Sequence, residues 1–117
     1  MASRCAIHDV PLRRFVGGSK ACYDCVKVAM RAYDMHATLL VAQVRSVLSL
    51  TEYQRLKTVI EAAKLVATEC SEDMLIFVLL ACTAEQNGKT ITGMIENLRS
   101  SQSADLLLGW IEPTLKQ

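Results

Sequence analysis

From Val26 onward, hydrophobic side chains recur at steps of three and four residues, the period of an amphipathic helix. The first run is Val26, Met30, Tyr33, Ala37, Leu40, Val44 and Val47–Leu48, which predicts a single helix from Val26 to Leu48. At about 23 residues it is long enough to project beyond its own domain and to seek a partner or a second copy of the chain. Ser49–Glu52 and Thr51–Gln54 form overlapping capping boxes, so a second helix starts there. Its stripe is Leu56, Val59, Ile60, Ala63, Val66 and Ala67, with Glu52, Arg55, Lys57, Glu61 and Lys64 left for solvent. Ser71 caps a third helix, and Glu72 and Asp73 suit its positive end. Between Met74 and Cys82 this helix is apolar nearly all round, which makes it the central buried element, and Asn87-Gly88 stops it.

Thr90 or Thr92 caps a short fourth helix to Arg99, weakened by Gly93 by about 1 kcal/mol. Ser100 to Ser103 is a polar connector, and Ser103 caps a last segment, Ala104 to Ile111, that carries Trp110 and ends before Pro113. The first 25 residues lack any helical period. There Pro11 and Gly17-Gly18 are turn-formers, and Leu12, Phe15 and Val16 suit a short hairpin strand. The expected fold is all-α, four or five helices with a small N-terminal zinc ribbon or knuckle. Residues 1–117 read as one domain, with a zinc module at 1–28 and a helical body at 29–117.

Composition agrees with a folded helical chain: 51% of residues are hydrophobic, the net charge is only +1, and there are two prolines and five glycines. The longest unbroken apolar run, Met74 to Cys82, is nine residues, whereas a membrane-spanning helix needs about 20. The start Met-Ala-Ser-Arg-Cys has no apolar signal core, so a cytoplasmic location is expected.

Cysteine spacing adds chemistry. Cys5-Ala-Ile-His8 is a C-x2-H pair and Cys22-Tyr-Asp-Cys25 a C-x2-C pair, with thirteen residues between His8 and Cys22. Two intervening residues let a tight turn aim both side chains at one ion, and two such pairs supply the four tetrahedral ligands that zinc prefers. Five cysteines, an odd number without an export signal, argue against a disulfide framework. A redox C-x-x-C would sit near a βαβ pattern, which the chain lacks. Cys70, Cys82 and His36 read as packing residues, and Met30, Met35, Met74 and Met94 as core filler.

With Cys5, His8, Arg14-Phe15, Gly18, Cys22 and Cys25 in this order, the N-terminus resembles the treble-clef-like or ribbon-like zinc modules of small bacteriophage proteins and of some phage HNH-type nucleases. Those modules often carry glycine after the histidine, where this chain has Asp9, and no nuclease histidine-asparagine signature follows. The resemblance implies a structural zinc module. It also implies a small accessory protein that binds a host protein in the host cytoplasm and modulates or inhibits it.

No nucleophile with a base, carboxylate pair or phosphate loop is visible, and a metal with four protein ligands is closed to substrate, so a non-enzymatic binding protein is expected. Charge supports an alternative. Residues 1–36 hold six basic side chains against three acidic ones, and residues 37–117 hold seven against nine. Arg4, Arg13, Arg14 and Lys20 therefore make the zinc module a candidate nucleic-acid surface. Ala84, Gly88 and Met94 also have helix-turn-helix spacing, with Thr90, Thr92 and Asn97 on the reading helix of a motif near Ala84–Leu98.

Overall fold

The computed structural model describes residues 4–5, 7–14, 20–63, 72–101 and 104–114. A two-stranded antiparallel ribbon, β1 (Arg13–Arg14) and β2 (Lys20–Ala21), precedes α1 (Tyr23–Ala32), α2 (Met35–Val47), α3 (Leu50–Ala63), α4 (Glu72–Gln86), α5 (Ile91–Ser101) and α6 (Asp105–Ile111). A 3-10 turn, Glu112–Thr114, follows α6. The fold is all-α with a small N-terminal knuckle, as the periodicity indicates. Strand β1 is the arginine pair; Phe15, Val16 and the two glycines of the expected reversal lie outside the described residues.

Helix α4 is the centre. Ile76, Phe77, Leu79, Leu80, Ala81, Cys82, Thr83 and Ala84 are all buried on it, and every other helix packs against it. An element apolar on all sides is stable only when neighbours surround it, so α1, α2, α3, α5 and α6 bring their stripes to it. These include Val28 of α1, Leu40, Val41 and Val44 of α2, Leu56 and Ile60 of α3, Met94, Ile95 and Leu98 of α5, and Leu108 and Ile111 of α6. Each fully buried Leu or Ile contributes about 1.5–3 kcal/mol relative to exposure. The buried threonines among the described residues are satisfied: Thr83 Oγ1 donates to the Leu79 carbonyl and shares a hydrogen bond with Thr114 Oγ1 at 3.1 Å.

One sequence expectation fails. The helix from Val26 to Leu48 is two helices, broken at Tyr33 and Asp34, whose backbones are extended. The Asp34 carboxylate accepts from the His36 amide at 2.8 Å, and its carbonyl accepts from Thr38 N at 3.0 Å, so Asp34 caps α2. Aspartate competes for backbone amides in this way, which favours caps over helix interiors. The break turns α2 so that Ala37, Leu40, Val41 and Val44 are buried, and α2 packs on α4 and α5. No single projecting helix therefore runs from Val26 to Leu48, and the break accounts for the sixth helix. His36 is exposed, and of the four methionines read as core filler only Met94 is buried; Met30, Met35 and Met74 are exposed.

Helix ends follow the sequence closely. Gly88 has φ +64, the Lys89 amide donates to the Ala84 carbonyl at 2.8 Å and the Gly88 amide to that of Glu85, a Schellman ending of α4. Thr90, not Thr92, caps α5 by accepting from Gly93 N at 3.0 Å. Ser71 and Ser103, both expected caps, lie outside the described residues, and the cap position of α6 is Ala104.

Ala104 has no capping side chain of its own, and Glu52 supplies one from elsewhere. In the capping box Glu52 Oε1 accepts from Ser49 N while Ser49 Oγ accepts from Glu52 N. The second oxygen, Oε2, accepts from Ala104 N at 3.0 Å. One carboxylate thus closes the starts of both α3 and α6, the second through a partner 52 residues from it in sequence. The Ser49 and then the Ala104 amide hold the Glu52 carboxyl below its ordinary range. A depressed carboxyl contributes stability above its unfolded pKa, near 4.3, and loses it as pH falls through the lower folded value. Glu52→Ala is expected to lower unfolding stability by about 1–2 kcal/mol at pH 7. The difference from wild type should shrink in acid, which denaturant titrations at pH 7 and pH 3 measure.

Candidate metal centre

The two candidate ligand pairs are built differently. In the first, the Cys5 amide donates to the Val10 carbonyl at 2.9 Å and the Asp9 amide to the Cys5 carbonyl at 2.8 Å, which brings the chain at Asp9 and Val10 back to Cys5 as a knuckle. Ile7, wholly buried, roots this knuckle in the core, and its amide donates to Cys5 Sγ at 3.3 Å. Asp9 follows the histidine with φ +53, a left-handed conformation that glycine enters most easily. Aspartate is among the few other residues that enter this region readily. Arg4 braces it: Nε donates to Asp9 Oδ1 at 2.9 Å, and the guanidinium also reaches the Asp9 carbonyl.

The second pair opens a helix. Cys22 is the N-cap of α1, with extended backbone and Sγ accepting from the Cys25 amide at 3.4 Å. Its sulfur therefore lies at the positive end of the α1 dipole, which favours thiolate. Cys25, one turn on, is buried against the core side of α1.

The four donors converge. Cys5 Sγ and Cys25 Sγ are 3.6 Å apart, Cys25 Sγ and His8 Nδ1 3.3 Å, and Cys22 Sγ and His8 Nδ1 3.5 Å. All donor atoms of Cys5, His8, Cys22 and Cys25 lie within 4.8 Å of one another. A tetrahedral ion with thiolate bonds of about 2.3 Å sets its sulfurs about 3.8 Å apart, so these spacings fit one ion at the centre. His8 presents Nδ1 and not Nε2, and its ring is partly exposed, while the three cysteines are at most 3% exposed.

Protons are shared unequally within the cluster. The Cys5 thiol is pushed down to about 5, chiefly by the hydrogen bond with Cys25 and then by the His8 and Ile7 backbones. Cys25 is pushed up by the same hydrogen bond, by Cys82 and by burial, and burial also raises Cys22. Crowded thiols cannot all ionise together without a cation among them. A bound divalent ion reverses that constraint and expels the protons.

Sequence spacing finds all four converging donors but misses what supports them. Ile7 and Arg4 carry no motif signal, and Cys82, 57 residues from Cys25 in sequence, is brought beside it only by the packing of α4 on α1. Cys70 lies outside the described residues. Of the candidate nucleic-acid residues, Arg4 is engaged with Asp9 and Arg13 lies 5.6 Å over the Tyr23 ring. Arg14 and Lys20 are exposed and directly opposite each other across the ribbon. Lys89, in the helix-turn-helix candidate, lies 4.5 Å over the Trp110 ring, and Asn97 is exposed. No protein family, curated protein or solved structure matches the chain.

Cobalt(II) substitution distinguishes ligands from neighbours. Wild type and Cys82→Ser should give the intense thiolate charge-transfer bands of tetrahedral cobalt, whereas Cys5→Ser, Cys22→Ser and Cys25→Ser should each lose affinity by at least about tenfold with weaker bands. Equal loss in Cys82→Ser would make that thiol a ligand.

Proposed function

We propose that this chain is a zinc-stabilised, non-enzymatic binding protein that engages a partner protein and modulates it. The observation that carries the reading is the convergence of Cys5, His8, Cys22 and Cys25 on one point. Three thiolates and an imidazole at tetrahedral spacing suit zinc above harder divalent ions, and four protein ligands leave no open position for a substrate. A ribbon of two residues per strand cannot hold itself together, so the ion supplies its folding energy, about 10–16 kcal/mol in apparent binding free energy for small zinc peptides.

Surface composition supports a protein partner. Tyr23, Met30, Tyr33 and Met74 are between 41% and 72% exposed, although they stand on α1, at its C-cap and on α4, two helices packed against each other. Scattered apolar residues need no explanation, but neighbouring ones on two packed helices mark an interaction face.

A second reading, nucleic-acid binding by the ribbon, is favoured by Arg14 and Lys20. Like charges directly opposite across two strands repel, and a phosphate between them would remove that cost. The helix-turn-helix reading has less support, because Lys89 is held over Trp110 and Arg99 is bonded to Gln43.

Protein prepared without chelator should contain one zinc per chain, and chelation should lower its melting temperature and abolish the cobalt-exchangeable site. A content far below one equivalent would sink the zinc reading. In gel shifts at low salt, retardation lost on Arg14→Glu would put nucleic acid ahead of protein as the partner.

A further inference from the structure

Between α1 and α4 runs a groove of about 350 Å³, walled by Val26, Ala29, Met30 and Tyr33 on one side and by Met74 and Val78 on the other. At its floor lies the ligand Cys25, and at one end Ala21 of β2. Among the described residues no charged one lines it, and its polar atoms are confined to the cysteine thiols, the Tyr33 hydroxyl and backbone. Small-molecule sites of this size carry a few convergent polar groups that orient the ligand. This one offers apolar wall and methionine, which repacks around varied side chains.

Charge at the rim selects the occupant. Arg13 stands opposite Ala21 in the ribbon register, on the groove side, with its guanidinium 5.6 Å over the Tyr23 ring. Lys27 Nζ lies 5.5 Å from the same ring. Neither cation forms an ion pair among the described residues. The acidic groups at the start of α4 are engaged elsewhere: Glu72 and Asp73 both bind Arg45. Asp24 adjoins Lys27 at i, i+3 on α1, but it lies about 120° round the axis from the groove residue Met30, twice the angle of Lys27, and forms no ion pair with Lys27.

We propose that this groove docks an amphipathic helix of a partner protein, its apolar stripe seated between α1 and α4 and acidic side chains beside the stripe meeting Arg13 and Lys27. From Cys22 to Tyr33 the α1 wall is about 16 Å long at 1.5 Å per residue, room for two to three turns of a guest helix with anchors at i, i+3 or i+4, and i+7. The cations then discriminate: a basic helix of equal hydrophobicity is repelled, and an acidic one is steered in. The inference rests on the binding-protein reading and assigns it a surface and a partner chemistry.

The test is selection from a library of helical peptides of about 15 residues, with leucine fixed at the anchor positions and the flanking positions randomised, on the full zinc-loaded chain. Selected peptides should be enriched in Asp and Glu, and fluorescence anisotropy should show binding weakened by about tenfold or more in Met30→Asp. Lys27→Glu should weaken acidic peptides by about threefold at low salt, with peptides carrying Lys in place of Glu restored on that variant. Met30 is 72% exposed and Lys27 is exposed, so neither change threatens folding. No enrichment, enrichment of basic peptides, or indifference to Met30→Asp would overturn the proposal. So would a dimer in sedimentation that Met30→Asp dissolves, which would give the face to a second copy. Capture of a protein from lysate that survives both substitutions would leave the binding reading standing and remove the groove as its site.

Discussion

The closure of four side chains on one point organises the N-terminal third of the molecule. Cys5 and His8 come from a knuckle without regular structure and Cys22 and Cys25 from the first turn of α1, so the donor cluster is where ribbon and helical body become one unit. Crowding three thiols and an imidazole within 4.8 Å is unfavourable unless a cation balances the thiolates. With an ion bound, the same crowding turns into the restraint that sets where α1 starts.

From that start the rest of the fold is a matter of surrounding α4. Its apolar circumference demands partners on every side, and three of the connections that deliver them have identifiable chemistry: Asp34 between α1 and α2, the Ser49–Glu52 box before α3, Gly88 and Thr90 between α4 and α5. Long-range polar contacts then fasten elements remote in sequence. Arg45 joins α2 to Glu72 and Asp73, Arg55 joins α3 to Asp105 and Glu112, and Glu52 caps the start of α6. Exposed ion pairs contribute little individually, about 0–1 kcal/mol, so their part is to fix register among helices that hydrophobic burial alone would let slide.

The side of α1 and α4 that faces away from this packing stays apolar and open beside the Cys/His donor cluster. Met30 and Tyr33 fall on the helical period of the core stripe, yet the break at Asp34 separates them from it. Val28 and Cys25 take the inward positions on α1 instead. Tyr33 still touches the core through an edge-on contact with Phe77, ring centroids 6.3 Å apart.

Much of the molecule was legible from local chemistry. The C-x2 spacings alone identify Cys5, His8, Cys22 and Cys25, because short-range geometry decides whether two side chains share an ion. The central place of α4, the capping box at Ser49 and the ending at Gly88 are likewise local properties. What the one-dimensional pattern could not show depends on direction in space. Periodicity is equally satisfied by one 23-residue helix or by two helices broken at Asp34, and only the burial of Ala37, Leu40 and Val44 against α4 and α5 decides for the break. For the same reason the exposure of Met30 and Met74, the second role of Glu52 at Ala104 and the approach of Cys82 to Cys25 were settled by tertiary packing. A sequence states which residues can bury or bind, and the competition among surfaces for α4 determines which of them do.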